Sequence, residues 1–142
     1  MRRLPTGAWS CYACSGSFRR LDNLEGGPVE PSSLAVLEAG EEPEFGSHPP
    51  EVLVGPQQWK LPLLLLTDRR FMVVKERLFG KPRVEFEVGW GDVGNVAGRL
   101  APSGMFIELM LPTVKGDVLV RVLPRYGSDV EGAIRGGYIH LR

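Results

Sequence analysis

Two short apolar runs, Leu63-Leu64-Leu65-Leu66 and Phe71-Met72-Val73-Val74, are held apart by the polar segment Thr67-Asp68-Arg69-Arg70. Each run has the length of a strand, and a four-residue break containing Asp68 suits a hairpin turn. A single helix through both would have to absorb the β-branched Thr67, Val73 and Val74 and the charged break, which argues against it. The chain then repeats the device. In "RVEFEVGW" Val84, Phe86, Val88 and Trp90 share one face and Glu85 and Glu87 the other, the pattern of a half-buried strand. "MFIELML" sets Ile107, Leu109 and Leu111 on one side, "DVLVRVL" sets Val118, Val120 and Val122, and Pro112 to Asp117 supplies the turn between them. "LAVLEAGEEPEF" and "SHPPEVLVG" read as two further short strands.

At the C-terminal end, Ser128 with Glu131 three residues on fits a helix-starting capping box, and Val130, Ala133 and Ile134 form a small apolar stripe. Gly132, Gly136 and Gly137 each weaken such a helix by roughly 1 kcal/mol relative to Ala, so it must lean on the sheet. Gly89 to Gly98 follows a strand without opening a helix and reads as a bend between sheets. The fold class expected is mainly β: an antiparallel β-barrel or sandwich capped by one C-terminal α-helix.

A chain of 142 residues with 43% hydrophobic and 24% charged residues is the size of one ordinary domain. The first 33 residues differ in texture. They carry Gly7, Gly16, Gly26, Gly27, Pro5, Pro28, Pro31 and five serines without a sustained period. The division expected is a flexible N-terminal arm over 1–33 and a β-barrel domain over 34–142.

Seventeen basic and seventeen acidic residues cancel, so the chain lacks the basic field of a nucleic-acid binder. The longest apolar stretch is far short of the ~20 residues that span a bilayer, and no long apolar segment follows Arg2 and Arg3 as in a secretory signal, so a cytoplasmic location is expected. Charge is nonetheless segregated. Asp22 to Glu51 holds eight acids and no Lys or Arg, whereas Thr67 to Arg83 holds six bases against Asp68 and Glu76. These segments read either as solvated surface, attracting one another within the fold, or as a docking patch in the basic one.

"LLLLTDRRFMVV", a charged loop, "RVEFEVGWGDVGNV", two more strands and a closing helix together resemble the bacterial pleckstrin-homology-like and GRAM domains, over roughly residues 34–141. The resemblance implies a seven-stranded, antiparallel, partly open β-barrel plugged at one end by its C-terminal helix, with Asp68 accepting backbone hydrogen bonds in the turn. Arg69 and Arg70 would lay their stems along the barrel edge with wet heads. It also raises phosphoinositide binding, which relatives achieve with Lys and Arg in the first strand and following loop. Here the corresponding stretch, Glu38 to Glu51, is acidic with only His48 as a base, and that site is not carried over.

The function expected is a non-catalytic binding or scaffolding module for a protein partner. Its contact residues would be Arg69, Arg70, Lys75, Arg77, Leu78, Phe79, Lys81 and Arg83, with Leu78 and Phe79 at a loop tip beside Gly80. An anionic membrane surface is the alternative partner, and folding of Leu78 and Phe79 back onto the barrel the competing structural outcome. Cys11 and Cys14 have the spacing of half a zinc site and raise a third alternative, a zinc- or thiol-dependent protein. With no other cysteine, His48 and His140 would have to complete the ligand set, and both read as exposed polar residues. A reduced cytosolic pair with no bound cofactor is the plainer reading. There is no phosphate-cradling glycine loop, no His-Glu-x-x-His helix and no nucleophile elbow, so no enzyme is expected.

Overall fold

A computed structural model describes residues 29–77 and 79–139, with the backbone of 2–3, 8–10 and 17–19. Its strands are β1 (Arg2–Arg3), β2 (Ala8–Ser10), β3 (Ser17–Arg19), β4 (Pro43–Ser47), β5 (Glu51–Val54), β6 (Gln57–Lys60), β7 (Leu63–Thr67), β8 (Arg70–Lys75), β9 (Arg83–Gly89), β10 (Ala97–Leu100), β11 (Ile107–Leu111) and β12 (Val118–Val122), followed by helix α1 (Gly127–Ile139). Strands β4-β7-β8-β9 pair antiparallel in one sheet, and β10-β11-β12-β5-β6 in a second. The three short N-terminal strands prolong the first sheet beyond β4 through one parallel pairing, Arg19 beside Phe45. The mainly β architecture, open and capped by a C-terminal helix, is as expected.

The chain changes sheet at three places, and prolines mark two of them. His48-Pro49-Pro50 separates β4 from β5, and Leu61-Pro62 separates β6 from β7. Proline offers no N–H to a ladder, so pairing stops there and the strand turns the corner. Strands β4–β5 and β6–β7 are thus the two arms of one long hairpin, bent across both sheets, with its tip at Gly55 (φ 55°). Leu61 N–H donates to the Pro50 carbonyl at 3.0 Å across the corner. Residues 90–96, within the glycine-rich bend, carry the chain from β9 to β10.

Between the sheets lies the main core: Leu64, Leu66, Phe71, Val73, Phe86 and Val88 from the first, Val52, Leu109, Leu111, Val118, Val120 and Val122 from the second. Helix α1 closes one end with Val130, Ile134 and Tyr138, spaced four residues apart and all buried. It begins one residue before Ser128, running on from a 3-10 turn at Pro124–Tyr126. Gly137 is required there, because a Cβ would overlap the Trp90 indole. Tyr138 Oη accepts the Val96 N–H at 3.0 Å, and Trp90 Nε1 donates to the Thr67 carbonyl at 2.8 Å, so the helix and the β9–β10 crossing are fixed together.

A second cluster explains why β7 and β8 are apolar without alternation. Leu63, Leu65, Met72 and Val74 point away from the barrel and are covered by Val29, Leu34, Val36 and Leu37. Residues 29–37 form a strap over the outer face of the first sheet, so all five residues of β7 are buried. One expectation is corrected by it. Leu34 to Leu37 is not a strand: Pro31–Val36 is a 3-10 helix, which proline at the first turn permits. Val29 and Ser33, just before residue 34, are buried.

Candidate functional site

The two ends of the first sheet treat charge differently. At the end where β7 turns into β8, Thr67 Oγ1 accepts the N–H groups of Arg69 and Arg70, both at 3.1 Å, and donates to Glu41 at 2.7 Å. Arg70 meets Glu41 in a fork, Nε to Oε2 and Nη2 to Oε1 at 2.8 Å each, while Nη1 reaches Glu87 at 2.6 Å and Nη2 the Val36 carbonyl at 3.1 Å. The Glu41 side chain has no exposed surface and that of Arg70 only 11%. Burial pushes the Glu41 carboxyl upward, but the Arg70 guanidinium, the Glu38 N–H and the Thr67 hydroxyl outweigh it and hold it at about 2. Arg70 therefore does not keep its head in water, and its donors serve the strap and the 38–42 loop. Asp68 does build structure, though across to the neighbouring loop: Oδ1 accepts the Glu42 N–H, and its own N–H returns to the Glu42 carbonyl, both at 3.0 Å. Arg69 is exposed.

At the opposite end, β8 leads into the loop before β9. Phe79 stands 86% exposed beside Gly80 (φ 95°), so it does not fold back on the barrel; Leu78 lies outside the described residues. Lys75, Arg77, Lys81 and Arg83 are all exposed. Arg83 pairs with Glu85 at 3.0 Å, but among the described residues Lys75, Arg77 and Lys81 form no ion pair. Arg69 and Arg70 belong to the other end of the sheet, so the eight expected contact residues do not form one patch.

Under the loop, Glu76 ties three segments together. It accepts from Ser33 of the strap and from His48 Nε2 at 2.5 Å, and these bonds, chiefly that to His48, lower its pKa despite burial. His48 is therefore not an exposed polar residue: its side chain is 13% exposed. The carboxylate sits between the other two groups, so the Ser33 hydroxyl faces an acid and not the imidazole. Among the described residues no group of three or more His, Cys, Asp or Glu is arranged to hold a metal, and Cys11, Cys14 and His140 lie outside them.

Sequence reasoning missed Leu61 and Lys60. Leu61, 66% exposed, is the one non-glycine among the described residues with positive φ, at 50°. It stands over a cleft of about 340 Å³ walled by Trp59, Pro62 and Lys75 on the same end as the Phe79 loop. Its sequence signal was slight: a leucine between a lysine and a proline. No helix among the described residues is long and apolar enough to cross a membrane. The chain matches no protein-family model, no curated protein and no solved structure.

Proposed function

We propose that this chain is a non-catalytic binding module of the pleckstrin-homology-like type that docks a protein partner through the end of the barrel bearing Phe79. Two open sheets, a hairpin bent through both and a helix across one end support the fold assignment. The observation that carries the function is a coincidence on one surface. An almost fully exposed phenylalanine stands among Lys75, Arg77 and Lys81, whose charges no described acid neutralises, whereas Arg70, Arg99 and Arg121 are all engaged by carboxylates. Aromatic side chains set among cations are the composition of binding hot spots, and exposed charge steers encounter with an oppositely charged partner.

A second reading, docking to an anionic membrane surface, is favoured by one fact. The exposed acids Glu38, Glu42 and Asp68 lie at the opposite end of the first sheet, where they would not face a bilayer that the Phe79 loop touched. The cleft beside Trp59 favours protein, because a bilayer offers no shaped side chain to fill it. The test uses Phe79→Ala and Lys81→Glu in pull-down from native lysate and in sedimentation with phosphatidylserine vesicles. Expected is a protein that the parent retains and both variants lose at least tenfold, with stability within about 0.5 kcal/mol of the parent. Loss of vesicle binding alone would select the membrane. Retention by both variants, with loss in Cys11→Ser/Cys14→Ser, would move the function to the N-terminal cysteines.

A further inference from the structure

Resting on that reading, we infer that Leu61 is a second anchor of the docking surface and that the occupant of the cleft beside it is a short acidic protein segment presenting one bulky apolar side chain. The inference starts from backbone conformation. A leucine in the left-handed region is disfavoured by contact of its Cβ with the following carbonyl, and a residue before proline is driven towards extended conformations as well. Leu61 violates both preferences at once, and its N–H is locked to the Pro50 carbonyl. The result is a leucine held outward, with two thirds of its surface exposed. Strain of this kind persists where surrounding structure enforces it, and it gathers at binding surfaces.

Charge around the cleft then selects the occupant. Four ionic side chains line it: Lys60, Lys75, Glu76 and Glu85. Both acids are already engaged, Glu76 by Ser33 and His48 and Glu85 by Arg83. Neither lysine has an ion pair among the described residues, so the rim offers positive charge to a ligand. Between the lysines, the half-buried Trp59, packed against Phe86 at 6.4 Å between ring centroids, and the buried ring of Pro62 give the cleft apolar walls. At about 340 Å³ it lies near the lower limit of the roughly 300–1,000 Å³ of ligand pockets, the scale of an anchoring side chain rather than of a large cofactor.

The experiment is fluorescence anisotropy of the full chain with fluorescein-labelled heptapeptides in which Glu and Asp flank one central Phe, Trp or Leu. At least one should bind saturably. Replacing its central residue with Ala, or its acids with Lys, should weaken it at least tenfold. Lys60→Glu/Lys75→Glu should do the same, and so should Leu61→Ser. Leu61→Gly, which suits the backbone there, separates loss of the side chain from misfolding: it too should weaken the peptide at least tenfold. Binding that survives Leu61→Gly, or failure of every acidic peptide, would overturn this inference. A native partner lost on Phe79→Ala would leave the broader reading standing in either case. Phosphatidylserine vesicles that bind through Leu61 while no peptide does would replace the protein segment with a bilayer.

Discussion

The ends of β7 and β8 begin from similar material. One has Asp68, Arg69, Arg70 and the acids Glu41 and Glu42; the other has Lys75, Glu76, Arg77, Lys81 and Arg83. At the turn end, the 38–42 loop brings a carboxylate under Arg70, and charge becomes structure. At the loop end Glu76 is turned inward to His48 and Ser33, so Lys75, Arg77 and Lys81 keep their charge for solvent or a partner. The difference lies in which way the acid points. An arginine in a basic run is a binding residue only when no carboxylate of its own chain reaches it.

Making the same substitution at each end breaks or upholds that comparison, and it carries the largest effect. Arg70→Ala leaves the fully buried Glu41 without its counter-charge, which costs about 3–5 kcal/mol. Arg77→Ala, on exposed surface, stays within about 0.5 kcal/mol of the parent. Urea unfolding of the two variants decides it, and equal effects would remove the distinction between the ends.

Acid titration sharpens the same point. Glu41 is held at about 2 against an ordinary 4.5, so the native state binds its proton less readily than the unfolded chain. The stabilisation is complete above pH 4.5 and disappears as the pH falls to about 2; it is on the order of 3 kcal/mol. Stability measured across that window should fall more steeply in the parent than in Glu41→Gln. Parallel curves would mean that Glu41 is not held low.

How much of this was legible depends on periodicity. Strands β11 and β12 alternate because one face of each meets the core, and they fall within two residues of where the pattern put them. In β9 Phe86 and Val88 face the core as the alternation implied, but a register shift opposite Val73 and Val74 turns Val84 to the outer cluster, so the expected common face ends at Phe86. Leu63 to Leu66 announced a strand but not its second cover, since a continuous run does not say what lies on either side. The cover comes from Val29 to Leu37, where a proline and two serines separate Val29 from Leu34, Val36 and Leu37 and no regular period marks the four. Strands β6 and β10 were missed because Gln57–Lys60 and Ala97–Leu100 are edge strands, mostly exposed and without alternation. Of the candidate site, Phe79 and its lysines were visible from composition. The capture of Arg70 by Glu41, 29 residues away, was not, because only the folded loop brings them together.

The strap offers an intermediate effect. Val29 is 1% exposed against Leu63, Leu65, Met72 and Val74, so Val29→Ala should cost about 2 kcal/mol by the cavity it leaves. If thermal melting of that variant matched the parent, the strap would be surface decoration, and a chain beginning at Pro31 would fold as well as the whole.

The smallest expected effect is the most discriminating for the loop end. Glycine at an exposed strand position ordinarily destabilises by roughly 0.5–1 kcal/mol, through the freedom it gives the unfolded chain. Leu100→Gly in β10, another exposed leucine, should show that loss in full. At Leu61 the substitution also relieves a left-handed leucine, a gain of about 1–2 kcal/mol. The two contributions oppose each other, so Leu61→Gly should lie at or slightly above the parent's stability, at most about 1.5 kcal/mol higher. A loss as large as that of Leu100→Gly would mean that Leu61 is not strained and its outward placement needs no function. Undiminished stability together with weakened binding would mean that the barrel holds a leucine where glycine fits better, for the sake of what it touches.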